Sequence, residues 1–206
     1  FYSFFCNIIC GFTFLTMNDL ALWRQLKEGD RSALEKIYRA QAVPLLSYGK
    51  KWSKNKQLVE DAIQDLFVEL WKNRKTLGDT DSIRRYLLTA LRRKIIRMLQ
   101  KHSKYAQSTP VEDLPFMATL SIDDKIIASE LATEQGQKLQ MALDQLTKRQ
   151  KEIIYLRYYQ EMDYQAIGEI MELNYQSVRN LTSGALRALR KNWPLVWLGC
   201  LWWSWV

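Results

Sequence analysis

Cysteine and histidine are nearly missing from this chain of 206 residues. The three cysteines, Cys6, Cys10 and Cys200, fall in two uncharged tails, and His102 is the one histidine. The body, 17–192, therefore has no thiol for a disulfide framework or a thiolate metal site. The usual zinc ligand sets are excluded, and a His-based acid–base or nucleophilic triad has almost nothing to be built from. No cofactor or metal is expected, and no catalytic constellation stands out. Glycine (8) and proline (4) are scarce. Alternating strand-like runs bounded by Gly or Asn-Gly turns are absent, which leaves little room for a sheet.

What is abundant is unevenly placed. Residues 1–16 hold five of the seven Phe and no charge, and residues 193–206 hold five of the eight Trp and no charge. Both are shorter than the roughly 20 apolar residues that span a bilayer. The first tail lacks the basic flank and cleavage pattern of a signal peptide. It reads as sequence translated ahead of the start at Met17, or as a degenerate anchor. The second reads as a tail that packs on the body or stays disordered, or as a weak membrane-surface contact, since Trp-rich apolar segments suit an interface.

Charge divides the body. The whole chain carries +8, but residues 17–109 carry +10, residues 110–134 carry −5 and residues 135–206 carry +3. Two basic units joined by an acidic stretch fit two nucleic-acid-facing modules and a linker. Apolar residues recur at three- and four-residue spacing throughout both units. The spacing predicts helices over 19–28, 31–53, 57–74, 83–102, 127–146, 148–160, 163–171 and 175–192. The expected fold is all-α: two small helical domains joined by an acidic flexible linker, the second containing a helix-turn-helix.

Three helices carry the functional information. Helix 57–74 is expected to bury Val59, Ile63, Leu66 and Leu70, with Phe67 and Trp71 widening the stripe. Its other face stacks Asp61, Asp65 and Glu69 at i, i+4 and i+8. Like charges so spaced cost about 0.2–0.5 kcal/mol per pair, and no Lys or Arg follows Asp61 or Asp65 at i+4. Either a basic partner docks there or the face is simply solvated.

Helix 83–102 reverses the sign. From Arg84 to Lys104 there are eight basic residues and no acid. Arg93, Arg97, Lys101 and Lys104 form one ridge, opposite a stripe of Ile83, Leu87, Leu91, Ile95 and Met98. That is a footprint for phosphates, although a membrane-surface helix would look similar. The polar loop 76–82, with Gly78, leads into it and ends at Ser82, an expected N-cap. With Tyr86 just inside the helix, the loop is suited to holding single-stranded bases.

The third is the helix-turn-helix. Asp163 should cap 163–171 and Asn174 should cap 175–190. Ile167, Ile170, Val178 and Leu181 are spaced to pack the pair, and Gly168 allows close approach. The second helix is expected to bury Val178, Leu181, Ala185 and Leu189. It offers Gln176, Arg179, Asn180, Ser183 and Arg187 to base edges and phosphates. Arg187 and Arg190 have a second reading, as solvation of the helix end.

Together VEDAIQDLFVELWKNR, SIRRYLLTALRRKIIRMLQ and the stretch from LDQLTKRQKEIIYLRYYQ to LTSGALRALR resemble the extracytoplasmic-function (group IV) sigma factors of the sigma-70 family, over about 22–192. The resemblance implies a non-enzymatic, cytoplasmic initiation subunit that binds core RNA polymerase and promoter DNA. It divides the chain into the extension 1–16, a region 2 domain over 17–104, a linker over 105–134, a region 4 domain over 135–192 and the tail 193–206. Core binding would fall to Asp61, Gln64, Asp65 and Glu69, docked on the polymerase clamp helices, while the linker threads toward the RNA path. The minus-ten element would meet Gly78, Asp79, Ser82, Arg85, Tyr86, Arg92, Arg93, Arg97 and Lys101. The minus-thirty-five element would meet Gln176, Ser177, Arg179, Asn180, Ser183 and Arg187.

Three positions depart from the family pattern. Arg93 and Arg97 stand where Asn and Asp are frequent, and Glu172 stands where the turn often has Gly. The recognition helix is similar to members from the Bacteroidetes, which often work with a membrane-bound anti-sigma protein. A competing reading is a stand-alone helix-turn-helix regulator, which would have no use for the acidic face at 61, 65 and 69.

Overall fold

The computed structural model describes residues 19–102, 116–117 and 140–192. Every regular element among them is helical. The apolar extension 1–16, the Trp-rich tail 193–206, most of the linker and the expected helix before residue 140 lie outside the described residues. No described helix is long and apolar enough to cross a membrane. No group of three or more His, Cys, Asp or Glu among the described residues is arranged to hold a metal ion.

The chain forms two compact units. The first combines residues up to Gly49 with Asn55–Ile95. It contains helix α1 (Asp19–Glu28), most of α2 (Arg31–Trp52), α3 (Lys56–Lys72) and the first part of α4 (Ile83–His102). Helix α1 stops at Gly29, whose φ of +95° is left-handed backbone that favours glycine. The amide of Gly29 donates to the Leu26 carbonyl and that of Asp30 to the Gln25 carbonyl. Asp30 then opens α2 by accepting from Ser32 N at 2.7 Å. Asn55 caps α3 by accepting from Leu58 N at 3.3 Å. Trp23, Leu26, Ile37, Leu45, Val59, Leu87 and Leu91 are fully buried in this unit. Each such side chain contributes roughly 1.5–3 kcal/mol by burial.

The second unit takes in Lys50–Lys54 and residues from Ile96 on. Residues 140–144 are helical. Thr147 opens α5 (Lys148–Ile154) with a reciprocal cap: its Oγ1 accepts from Gln150 N and its amide donates to Gln150 Oε1. Sequence periodicity predicts one α-helix over 148–160. Instead the helix widens into a π-turn over Tyr155–Tyr159, with Gln160 N donating to the Tyr155 carbonyl at 3.0 Å. The extra residue per turn lets Tyr155, Leu156 and Gln160 all face inward. There Gln160 Nε2 donates to the Tyr155 hydroxyl at 3.0 Å.

Helices α6 (Tyr164–Met171) and α7 (Tyr175–Asn192) complete this unit. Ala142, Leu143 and Leu146 pack with Ala185 and Leu189 of α7. From the acidic linker, Phe116 is buried between Trp52 and Tyr155, with ring centroids 5.2 and 6.0 Å away. At this point the linker is anchored, with Met117 N donating to the Lys51 carbonyl at 2.7 Å.

Candidate nucleic-acid interface

Helix α3 separates its two faces as the sequence predicts. Val59, Ala62, Ile63, Leu66, Phe67 and Leu70 are buried, while Asp61, Gln64, Asp65 and Glu69 are all exposed. The like charges are nonetheless relieved from within. Lys94 of α4 reaches across to Glu69 Oε1 at 2.7 Å and Asp65 Oδ2 at 3.7 Å, and Gln57 donates to Asp61 Oδ1 at 2.8 Å. Spacing along α3 cannot reveal Lys94, because the pairing crosses between helices. The carboxylates keep their exposure, at 66% for the Asp65 side chain and 58% for Glu69. The ridge therefore stays available to a partner.

Helix α4 presents Arg93, Arg97 and Lys101 on its exposed side. Arg92 does not join them. It is buried at 5%, because it sits one turn after Leu88 and one turn before Ile96, both buried. Ser82 caps the helix by accepting from Arg85 N at 3.3 Å, as expected. A second cap comes from far along the chain: Asp19 Oδ2 accepts from Ile83 N at 3.0 Å across 64 residues. Burial pushes the Asp19 carboxyl above its usual range, and this hydrogen bond partly counters the shift.

The loop before α4 is tied down at several points. Gly78 and Asp79 are exposed, and a Cβ built on Gly78 would meet nothing within 4 Å. The Gly78 carbonyl accepts from Trp23 Nε1 at 2.9 Å, and Asp79 Oδ1 accepts from Lys27 Nζ at 2.7 Å. Thr80 is buried. It exchanges hydrogen bonds with Ser82, from Thr80 Oγ1 to the Ser82 carbonyl and from Ser82 N back to Thr80 Oγ1. Asp81 pairs with Arg85, which holds the Asp81 carboxyl below its usual range. Tyr86 is not a free stacking platform: its ring packs edge-on against Trp23 at 4.9 Å. Burial raises its hydroxyl pKa.

In the second unit both expected caps form. Asp163 Oδ1 accepts from Ala166 N at 2.7 Å, and Asn174 Oδ1 accepts from Ser177 N at 2.8 Å. Between the helices, Leu173 N donates to the Gly168 carbonyl at 2.9 Å. Glu172, standing where glycine would be easy, adopts φ 58° and ψ 46°. Ile167, Ile170, Val178 and Ala185 are buried, but Leu181 is only half-buried and Thr182 takes the inner position. The Thr182 hydroxyl is satisfied by donating to the Val178 carbonyl at 2.8 Å. Gln176, Arg179, Asn180, Ser183 and Arg187 are exposed along α7, with Ser177 half-buried. Gln176 donates to Asn180 Oδ1 at 3.0 Å, which fixes two amides side by side on the outer face.

An acidic helix face, a basic helix with a pinned loop, and a capped helix-turn-helix thus occur in that order. Residues 37–105 match the family described as sigma-70 region 2, and residues 142–191 match that described as sigma-70, region 4. The chain is 23% identical over 175 residues to the ECF RNA polymerase sigma factor SigK of Mycobacterium ulcerans, covering 82% of this chain and 90% of that protein. It is 24% identical over 164 residues to the RNA polymerase sigma factor YlaC of Bacillus subtilis, covering 79% and 92%. Its fold is similar to that of CnrH, solved in complex with the cytosolic domain of CnrY. The TM-score is 0.58 at 18% identity, over 84% of this chain and 95% of that one.

Proposed function

The chain belongs to the sigma-70 family, as an RNA polymerase sigma factor of the extracytoplasmic-function group, and from that premise we propose which surface performs each step of initiation. Core polymerase docks on α3 through Asp61, Gln64, Asp65 and Glu69. The loop 77–82, with Arg85 and Tyr86 behind it, and the Arg93, Arg97 and Lys101 ridge take the minus-ten element. The outer face of α7, from Gln176 to Arg187, reads the minus-thirty-five element. The observation that carries this division is the opposed charge of neighbouring surfaces, an exposed acidic ridge on α3 and an exposed basic ridge on α4. A stand-alone DNA-binding regulator would need only the second and third surfaces. Arg92, being buried, is left out of the minus-ten surface. Run-off transcription by purified core polymerase tests the assignment. Transcripts that start at defined sites only when this protein is added support it, and their absence refutes it.

The DNA surfaces should separate by module. Arg179→Ala or Arg187→Ala is expected to weaken minus-thirty-five binding. Where the lost side chain made a bidentate contact to guanine, about 1–3 kcal/mol of base discrimination goes with it. Substitutions in the loop should instead impair opening. A pre-melted promoter should rescue the loop variants and leave the α7 variants impaired, and rescue of both classes would contradict this division.

A membrane-bound anti-sigma protein is the proposed regulator. Support comes from the fold shared with CnrH, whose structure holds the cytosolic domain of CnrY. The tail 193–206, with five Trp and no charge, is proposed as a weak interfacial contact that keeps the factor near such a partner. Liposome co-sedimentation of the full chain against one ending at residue 192 tests it. The full chain should pellet more, and equal pelleting would dispose of the contact.

A further inference from the structure

Helix α1 has no part in the surfaces assigned above, yet three of its side chains hold the segment that leads into α4. They lie at i, i+4 and i+8, on one face of a ten-residue helix. Asp19 accepts from Ile83 N at 3.0 Å, Trp23 Nε1 donates to the Gly78 carbonyl at 2.9 Å and Lys27 Nζ donates to Asp79 Oδ1 at 2.7 Å. Trp23 also packs against Tyr86 just inside α4. The second half of the loop has its own local bonds, Thr80 with Ser82 and Asp81 with Arg85. The bonds at Gly78 and Asp79 come from α1.

The geometry at Gly78 gives these ties a direction. Its carbonyl is turned inward to the Trp23 indole, while the side on which a Cβ would project is open. The loop therefore shows backbone outward at the position where a nucleotide could approach most closely. Loops ordered before binding lose less conformational entropy when the ligand arrives. Single-stranded bases, flexible themselves, gain most from such a preformed seat.

We infer that Asp19, Trp23 and Lys27 are positioning residues for promoter opening: α1 acts as a splint that holds loop 77–82 in the shape that receives the unpaired minus-ten bases. This rests on the reading of that loop as the minus-ten contact. Trp23 and Lys27 hold the loop and Asp19 holds the first residue of α4, so the splint sets affinity for the melted strand and leaves core docking and duplex recognition by α7 alone.

The test uses the protein assembled with core polymerase and a single-stranded minus-ten oligonucleotide. Lys27→Met removes the Asp79 tie at a partly exposed side chain. Trp23→Phe removes the Gly78 tie and keeps an aromatic ring against Tyr86. Each is expected to weaken oligonucleotide binding about five- to ten-fold, with core co-purification and minus-thirty-five duplex binding unchanged. Hydrogen exchange at 77–83 should accelerate while α3 stays protected, and Lys27→Arg should restore both readouts. Binding within two-fold of the parent in both variants would overturn the splint, provided that Asp79→Ala and Gly78→Val, made in the loop itself, do weaken binding. If those loop variants also bind normally, the loop is not the minus-ten contact and the inference falls with that reading. Thermal unfolding of each variant guards against general misfolding. Should Trp23→Phe unfold, Lys27→Met and its Arg rescue decide the matter.

Discussion

Asp61→Arg combined with Asp65→Arg is expected to abolish co-purification with core polymerase and to leave the helical circular-dichroism signal intact. Both carboxylates are exposed on α3, and truncating one member of a desolvated charge pair in an interface already costs about 2–5 kcal/mol. Two reversals replace attraction by repulsion and should take binding below detection. The cost to folding is small by comparison. Asp61 loses a hydrogen bond from Gln57, and Asp65 loses a long pairing with Lys94 at 3.7 Å, while Glu69 keeps Lys94 at 2.7 Å. Exposed pairs of this kind contribute roughly 0–1 kcal/mol. Unchanged co-purification would remove α3 from the docking surface. Loss of helical signal would instead mean that the ridge holds the domain together.

The second large effect is expected in the helix-turn-helix. A Cβ on Gly168 would stand 2.8 Å from the Leu173 carbonyl oxygen and 3.7 Å from Val178 Cγ2. The first neighbour is backbone in a turn already fixed by the bond from Leu173 N to the Gly168 carbonyl, so it cannot swing aside like a side chain. Gly168→Ala should destabilise this unit by about 1–3 kcal/mol, lowering its Tm by several degrees per kcal/mol, and weaken minus-thirty-five duplex binding. Four residues on, the sign reverses. Glu172 sits at φ 58°, where a residue with a Cβ is strained and glycine is not. Glu172→Gly should therefore raise stability by about 1 kcal/mol. Differential scanning calorimetry of the two variants checks both signs, and equal shifts would contradict the turn geometry.

What was legible in the sequence is what local periodicity and capping chemistry determine. The helices over 19–28 and 83–102 follow from apolar spacing, and Ser82, Asp163 and Asn174 cap as their positions suggest. The acidic and basic ridges were legible too, because each is written along a single helix. Partners on other elements were not. Lys94 reads as one more cation in a basic run, and only the packing of α4 beside α3 turns it toward Asp65 and Glu69. Arg92 reads from its charge as one of the minus-ten cations. The row Leu88, Arg92, Ile96 at four-residue spacing is the signal that places it inside. Thr182, polar and therefore not expected inside, takes the inner position in place of Leu181 because its hydroxyl donates to the Val178 carbonyl. The π-turn at Tyr155–Tyr159 has no local signature in the apolar pattern. It follows from fitting Tyr155, Leu156 and Gln160 into one interior.

The placing of the caps bears on how such a protein could be rebuilt. In the helix-turn-helix both caps lie within three residues of the amides they satisfy, so the recognition helix brings its own start with it. A transplant of 163–190 into a related chain would carry its geometry intact. The start of α4 is different, since one of its amides is satisfied by Asp19 from the far end of the domain. Exchanging loop 77–82 alone would set new residues on a foreign mount. On the proposed assignment of surfaces, a chimera meant to change minus-ten preference needs α1 along with the loop, and one meant to change minus-thirty-five preference does not.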